Sequence, residues 1–273
     1  MLKNIFFKQT SNSKNDLLHK IEEAKEIYER DGITIIPNVF QEEEIQKIRA
    51  AAFMSLTKID QIKKAGYKHN VLETRTVKNQ EFPALLFFPT LVSDYLNQIR
   101  TDERLITIVQ SFLGKEVKQL NNQIYFRLPG DGDSFAWHQD IHFRKPTEDY
   151  PEIEGSYLQT LIVVDEITEY NGAVEFIPGT HTEGDLQLIK GLLPDSILRK
   201  FKRNEKTGIK YLGKPGDVMI WSVMTIHGSE ANQSPSSRMT YMNGFAKANA
   251  AKHWPFYLKN GNVIKKIDPT LFP

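Results

Sequence analysis

Residues 216–247 read GDVMIWSVMTIHGSEANQSPSSRMTYMNGFAK, and this stretch decides the fold. An apolar run starts after Gly216–Asp217 and closes on His227. A polar turn rich in Ser follows, and Arg238 opens a second run in which side chains alternate. Two β-type runs split by such a turn read as antiparallel neighbours. On that reading His227 ends one strand, Arg238 enters the next, and both can face one cavity. The same texture lies upstream in KQLNNQIYFRL (118–128), YLQTLIVVDEI (157–167) and GAVEFIPG (172–179), each bounded by Pro, Gly, Asn or Asp. From about residue 117 the chain therefore reads as a β-sandwich or barrel.

The part ahead of it reads as a helical layer. Residues 1–13 are expected to form an arm or an edge strand. Asn15 or Asp16 suits the cap of a helix through LLHKIEEAKEIYERDG (17–32), with Leu17, Leu18, Ile21, Ala24 and Ile27 at helical spacing and Gly32 as its stop. ITIIPNVF (33–40) reads as a strand and QEEEIQKIRAAAFMSL (41–56) as a helix with an acidic first turn. Segment 57–90 reads as loops near a pocket mouth, and 102–114 as a helix ending at Gly114. A further helical stretch is expected around LIKGLLPDSILRKFK (188–202). No internal repeat or linker interrupts the chain, so one domain over 1–273 is expected: a helical part (1–115), a β core (116–248) and a C-terminal extension (249–273).

Composition narrows the function. Lys and Arg number 35 against 34 Asp and Glu, a net charge of +1, so bulk electrostatics offers no pull on nucleic acid. The chain has no cysteine, which rules out disulfides, thiolate ligands and cysteine nucleophiles. No stretch is long and apolar enough for a membrane span, and the apolar patch near the N-terminus is too short for a signal-peptide core. The expectation is a cytoplasmic protein with a small-molecule substrate and neither a nucleic-acid nor a membrane partner. Oligomeric state leaves no trace in the sequence.

The chemistry lies in FAWHQD (135–140). His138 and Asp140 flank Gln139, so on an extended segment they point the same way. His227 must come from another strand. Two histidines and one carboxylate on one face of iron form the ligand set of non-haem Fe(II) oxygenases, with positions left open. Arg238 offers a planar fork of donors for a carboxylate. Each piece alone is weak: seven histidines give His-x-Asp by chance, and an arginine beside SPSS is an ordinary surface ion-pair partner. Together they suggest an Fe(II)- and 2-oxoglutarate-dependent oxygenase.

The strings WHQD (137–140), NGAVEFIPGTHTEG (171–184), GD (216–217), HGSEANQS (227–234) and Arg238 resemble the phytanoyl-CoA dioxygenase family, and GITIIPNVFQEEEIQKIR (32–49) resembles its entry segment. The resemblance implies a double-stranded β-helix (jelly-roll, cupin-like) core with an N-terminal helical layer, mononuclear Fe(II), 2-oxoglutarate as co-substrate, and O2. Carried over by position, His138, Asp140 and His227 bind iron, and Arg238 holds the far carboxylate of 2-oxoglutarate. Thr240, on the same strand face, adds a hydroxyl, and Gln123, Gln159 and Arg127 are further candidates for the co-substrate pocket. Trp137, Gln139 and Trp221 are candidates for the layer behind the ligands. Asp140 fills the position that halogenases of the wider superfamily leave for chloride, which favours hydroxylation of an aliphatic C–H with release of succinate and CO2.

Some questions stay open at this level. His142, Phe143, Arg144 and Lys145 form either a basic loop that recognises an anion or a solvated loop neutralised by Glu148, Asp149, Glu152 and Glu154. Glu175 contacts substrate only if it faces the cavity. HWPFYL (253–258) packs back on the β core, covers the pocket or joins a partner chain. Two other functions fit the same fold: a non-catalytic metal- or ligand-binding protein, and a cupin-like metalloenzyme that does not use 2-oxoglutarate. Arg238 separates them, because only a 2-oxoglutarate enzyme needs it.

Overall fold

Alternation along the β-type runs gives each strand one face for the helices and one for the interior, and two sheets result. The structure, a computed structural model, describes residues 11–130, 132, 134–143, 150, 155–186, 199 and 208–271. The first part comprises α1 (Ser11–Asp31), β1 (Ile33–Ile36), α2 (Glu42–Leu56), α3 (Ile59–Lys64), β2 (Leu72–Val77), β3 (Gln80–Phe87), α4 (Asp94–Arg100) and α5 (Glu103–Leu113). Then come β4 (Val117–Arg127), β5 (Phe135–His138), β6 (Tyr157–Val163), β7 (Val174–Phe176), β8 (Ile209–Lys210), β9 (Val218–Ser222), β10 (His227–Ser229), β11 (Arg238–Lys247), β12 (Phe256–Lys259) and β13 (Asn262–Val263).

The major sheet runs β1-β9-β6-β11-β4-β12-β13, with β3 also on β4 and β2 on β3. The minor sheet runs β5-β10-β7-β8. The strand pairs are antiparallel. This is the expected double-stranded β-helix with a helical layer.

On the outer face of the major sheet, Ile124 of β4, Ile162 of β6, Ile220 of β9, and Tyr241 and Phe245 of β11 meet the helices in one core. The helices supply Leu17, Ile21 and Ala24 from α1, Ile45, Ile48 and Ala52 from α2, and Leu105, Ile108 and Val109 from α5, each at helical spacing. Each buried aliphatic side chain of this kind contributes about 1.5–3 kcal/mol. Caps fix the helix starts. Gln41 and Glu44 form a capping box on α2, and Asp102 accepts from the Arg104 N–H at α5. On the inner face, Leu161, Val163, Met219 and Trp221 meet Ala173 and Phe176 and fill one end of the barrel. The inner face of β4 is polar instead, and that difference opens the cavity described below.

Several expectations need correction. α1 already includes Ser11, upstream of Asn15 and Asp16, so neither of these caps it. Segment 57–90 is not loops: it holds α3 and the β2–β3 hairpin, which joins the major sheet through β4. The C-terminal extension joins the major sheet: β12 pairs with β4, and Tyr257 and Leu258 are buried. HWPFYL thus packs back on the β core. The helix expected at 188–202 lies almost wholly outside the described residues. Among the described residues, no helix is long and apolar enough to cross a membrane.

Candidate active site

Pairing of β5 with β10 sets His138 directly opposite His227. Their ring centroids lie 4.2 Å apart. Asp140 begins a single 3₁₀ turn, Asp140–Phe143, immediately after β5, and that turn folds its carboxylate back between the rings. Asp140 Oδ1 is 3.6 Å from His138 Nε2 and 3.5 Å from His227 Nε2. One ligand atom from each of the three lies within 4.8 Å of the others, and this is the metal-ligating cluster found among the described residues.

The ring orientations are fixed from behind. His138 Nδ1 lies 2.7 Å from the Ala136 carbonyl, and His227 Nδ1 lies 2.9 Å from the Thr225 carbonyl. Each Nδ1–H donates to that oxygen, which leaves both Nε2 lone pairs turned towards Asp140. The Trp221 indole N–H donates to Asp140 Oδ2 at 3.0 Å, so Oδ1 is the oxygen presented to the histidines. Phe176 stacks on His227 at 5.3 Å. Burial alone would raise the Asp140 carboxyl, but His227 and His138 outweigh it and hold the group well below the usual carboxylate range. Burial likewise works against His138, and Asp140 still carries its pKa above the ordinary value. Two imidazoles and an ionised carboxylate, aimed at one point, fit a divalent first-row metal.

Arg238 opens β11 in register with Arg127 of β4. Its side chain is buried, and Nε and Nη1 have no hydrogen-bond partner among the described residues. Burial first, then Arg127, pushes its pKa down to about 9, with Asp165 pulling the other way. A buried guanidinium with idle donors is costly until an anion reaches it. Thr240 lies two residues on, in register with Tyr125 and Val163. Arg127 Nη2 donates to the Glu230 carbonyl at 2.6 Å, and its guanidinium sits 5.4 Å over the Phe135 ring.

A cavity of 330 Å³ opens beside the cluster. His138, Asp140, Gln123, Arg127 and Gln159 line it. Arg238 and Thr240 are buried and are not among the residues that line it; they pair in register with Arg127 and Tyr125, which do. Three earlier candidates sit elsewhere. The Trp137 ring rests against Gly208 together with the Glu175 carboxylate, on the face of the minor sheet away from the cluster. Glu175 pairs with Gly228 and Lys210 in register and is not in the cavity wall. Gln139 is fully buried and ties two segments: its amide donates to the carbonyls of Gly184 and Met224 and accepts from the Leu186 N–H. In the basic loop, His142 lies 2.8 Å from Asp185, while Arg144 and Lys145 fall outside the described residues.

Sequence reasoning missed Asn121, Tyr125, Tyr157, Glu73 and Arg75, all in the cavity wall. Counting back by twos from Arg127 gives Tyr125, Gln123 and Asn121, so the period-two signal was present on β4. Glu73 and Arg75 lie in segment 57–90, expected near a pocket mouth, though no pattern singled out these two residues.

A sequence model of the family described as phytanoyl-CoA dioxygenase (PhyH) matches residues 28–240. The chain is 27% identical over 252 residues to a protein of Stutzerimonas stutzeri named "Probable alpha-ketoglutarate-dependent hypophosphite dioxygenase", covering 85% of this chain and 80% of that one. Among solved structures, it is similar to EctD from S. alaskensis with 2-oxoglutarate and 5-hydroxyectoine (TM-score 0.69, 20% identity, 84% of this chain and 76% of that chain). It is also similar to the epimerase SnoN in complex with Fe3+, alpha ketoglutarate and nogalamycin RO (TM-score 0.67, 16% identity, 90% and 88%). Both structures share the fold described above.

Proposed function

The chain belongs to the phytanoyl-CoA dioxygenase family and is an Fe(II)- and 2-oxoglutarate-dependent dioxygenase, and from that premise we propose that it hydroxylates an aliphatic C–H of a small metabolite. His138, Asp140 and His227 hold the iron, and Arg238 holds the far carboxylate of 2-oxoglutarate, with Thr240 and Arg127 beside it. Iron bound there with 2-oxoglutarate supplies the oxidation of a C–H bond by O2, the co-substrate leaving as succinate and CO2.

The protein's own groups do the rest. Carbonyls of Ala136 and Thr225 keep both Nε2 atoms aimed at the metal position. Trp221 holds Asp140 so that one oxygen is left to ligate. Phe176 and Trp221 pack against the His227 ring and keep water from that side. The observation that carries the reading is Arg238: a buried cation in register with the cavity-lining Arg127, whose Nε and Nη1 meet no partner among the described residues, calls for a carboxylate. A cupin-like enzyme without 2-oxoglutarate has no use for it.

The test is succinate formation by purified protein given Fe(II), ascorbate, O2 and 2-oxoglutarate. Wild type is expected to release succinate slowly even before its substrate is supplied, and His138→Ala is expected to release none. Folded, iron-loaded wild type that yields no succinate with or without a broad panel of small metabolites would sink the proposal.

A further inference from the structure

We propose that Gln123 selects the prime substrate, and that this substrate presents to it an uncharged hydrogen-bonding group, a hydroxyl or an amide. The inference rests on the assignment of iron and 2-oxoglutarate made above.

Register in the major sheet divides the cavity wall into rows. Arg127 pairs with Arg238, Tyr125 with Thr240, Gln123 with Met242, and Asn121 with Gly244. β6 and β3 extend the rows, Gly244 to Gln159 and Gln123 to Phe87. Successive rows are about 7 Å apart, two residues of strand. A carboxylate on Arg238 commits the cationic end to the co-substrate. The prime substrate is left with the rows of Gln123 and Asn121. The metal cluster borders that end as well: Asp140 is tied to Trp221, and Trp221 is the cross-strand partner of Gln159.

The side chains from these two rows that line the cavity are Gln123, Asn121, Gln159, Phe87 and Met242, joined by Tyr157, and none is charged. Glu73 and Arg75 complete the cavity wall from β2, where they pair with each other at 3.9 Å, and Glu73 is level with Tyr125 through Leu85. A substrate carboxylate or phosphate seated here would be desolvated with no cation from β4, β6 or β11 beside it, a steep penalty. An uncharged polar group avoids that cost.

Gln123 is the group left to read it. Asn121 Nδ2 donates to Gln159 Oε1 at 3.1 Å, and the Tyr157 hydroxyl donates to the same oxygen at 2.6 Å. Those amides are spent on one another, save Asn121 Oδ1, which is buried without a partner. The Gln123 side chain is half-buried on the cavity and, among the described residues, meets no hydrogen-bond partner. A Cβ at Gly244 would come within 2.2 Å of the Tyr157 hydroxyl, so Tyr157 and Asn121 take up these positions only because residue 244 lacks a side chain. The cavity volume is 330 Å³, room for the reacting end of a substrate beside the cluster.

The experiment measures succinate release with sets of small compounds that share a carbon skeleton and differ in head group: primary alcohol, carboxamide, carboxylate and phosphonate. Wild type, Gln123→Leu and Gln123→Arg are compared, alongside the anaerobic visible band of the iron–2-oxoglutarate complex. Wild type is expected to respond to alcohols or amides at least about tenfold better than to the matched anions, since a buried unmatched polar group costs 1–3 kcal/mol. Gln123→Leu should raise the KM for the neutral compound about tenfold or more, and a variant whose main change is instead in the band or in the KM for 2-oxoglutarate overturns the proposal. Gln123→Arg should turn the preference towards the carboxylate. Wild type that forms the complex but prefers anions, that responds to no neutral member, or that is unaffected by Gln123→Leu overturns this proposal alone. Wild type that forms no complex overturns the underlying assignment, and this proposal with it.

Discussion

Replacing Arg238 by Met should stabilise the protein without ligand and abolish its response to 2-oxoglutarate. The guanidinium is buried, Nε and Nη1 meet no partner among the described residues, and Arg127 faces it in register. Burial, reinforced by Arg127, lowers its pKa from 12.5 to about 9. At neutral pH the group is below both values and is charged folded or unfolded, so the whole penalty falls on the folded state. It fades only as pH rises through about 9. At about 1.4 kcal/mol per unit the shift sets an upper bound of roughly 5 kcal/mol. Replacement of a buried charge by an apolar side chain of similar size usually returns about 1–4 kcal/mol. For a chain of this size that is roughly 3–10 °C in Tm. Losing one partner of a buried charge pair costs about 2–5 kcal/mol, so 2-oxoglutarate should bind roughly 30- to 5,000-fold more weakly. Thermal unfolding under anaerobic conditions with Fe(II), with and without 2-oxoglutarate, reads both effects. The variant should melt above wild type without the co-substrate and gain nothing from it. A variant that melts lower, and is raised by 2-oxoglutarate as much as wild type, would refute the reasoning.

Other outcomes follow from the same geometry. Trp221→Phe removes the donor to Asp140 Oδ2 and should weaken Fe(II) binding about 10- to 100-fold, read by metal titration, while circular dichroism stays unchanged. In the metal-free protein His138 titrates above its ordinary 6.5, because Asp140 outweighs burial, so the stability from its protonated form is complete below 6.5 and lost as pH rises through the raised value. Asp140 acts in the opposite sense: its contribution is present above 3.8 and lost as pH falls through its lowered value. Iron must displace the His138 proton, so Fe(II) affinity should climb from pH 6 to 8 with proton release, measurable by calorimetry in buffers of different ionisation heat; a flat profile would contradict this. Gly244→Ala drives a Cβ into Tyr157 and Asn121 and should cost about 1–3 kcal/mol in denaturant unfolding.

What the sequence revealed, and what it hid, follow from physics. Strands β4, β6, β9 and β11 were legible because they are central, long or nearly continuous in apolar residues, and turn-forming residues bound them. The nearness of His138 and Asp140 was legible because His-x-Asp on an extended segment needs no long-range information to share a face. The β2–β3 hairpin was not. It lies at the margin of the sheet, and LETRTV is half-exposed on both faces, so it lacks an apolar alternation. α4 was missed because DYLNQIR spans seven residues, too few for a helical period to stand out. β12 was read as part of an extension because its register against Val117 and Lys118 is a tertiary fact that FYLK does not encode. Trp137 was placed by adjacency to His138, yet on this strand the next residue turns its ring to the opposite face. The carboxamide end of the cavity depends on three strands meeting, and no single run signals that.

The central claim is most directly tested by adding Fe(II) and then 2-oxoglutarate to metal-free protein without oxygen and recording the weak visible charge-transfer band of the chelate. The band should appear only when both are present, be absent from His138→Ala, and in Arg238→Ala require far more 2-oxoglutarate. A folded wild-type protein that shows no band, or an Arg238→Ala variant that titrates like wild type, would contradict the account.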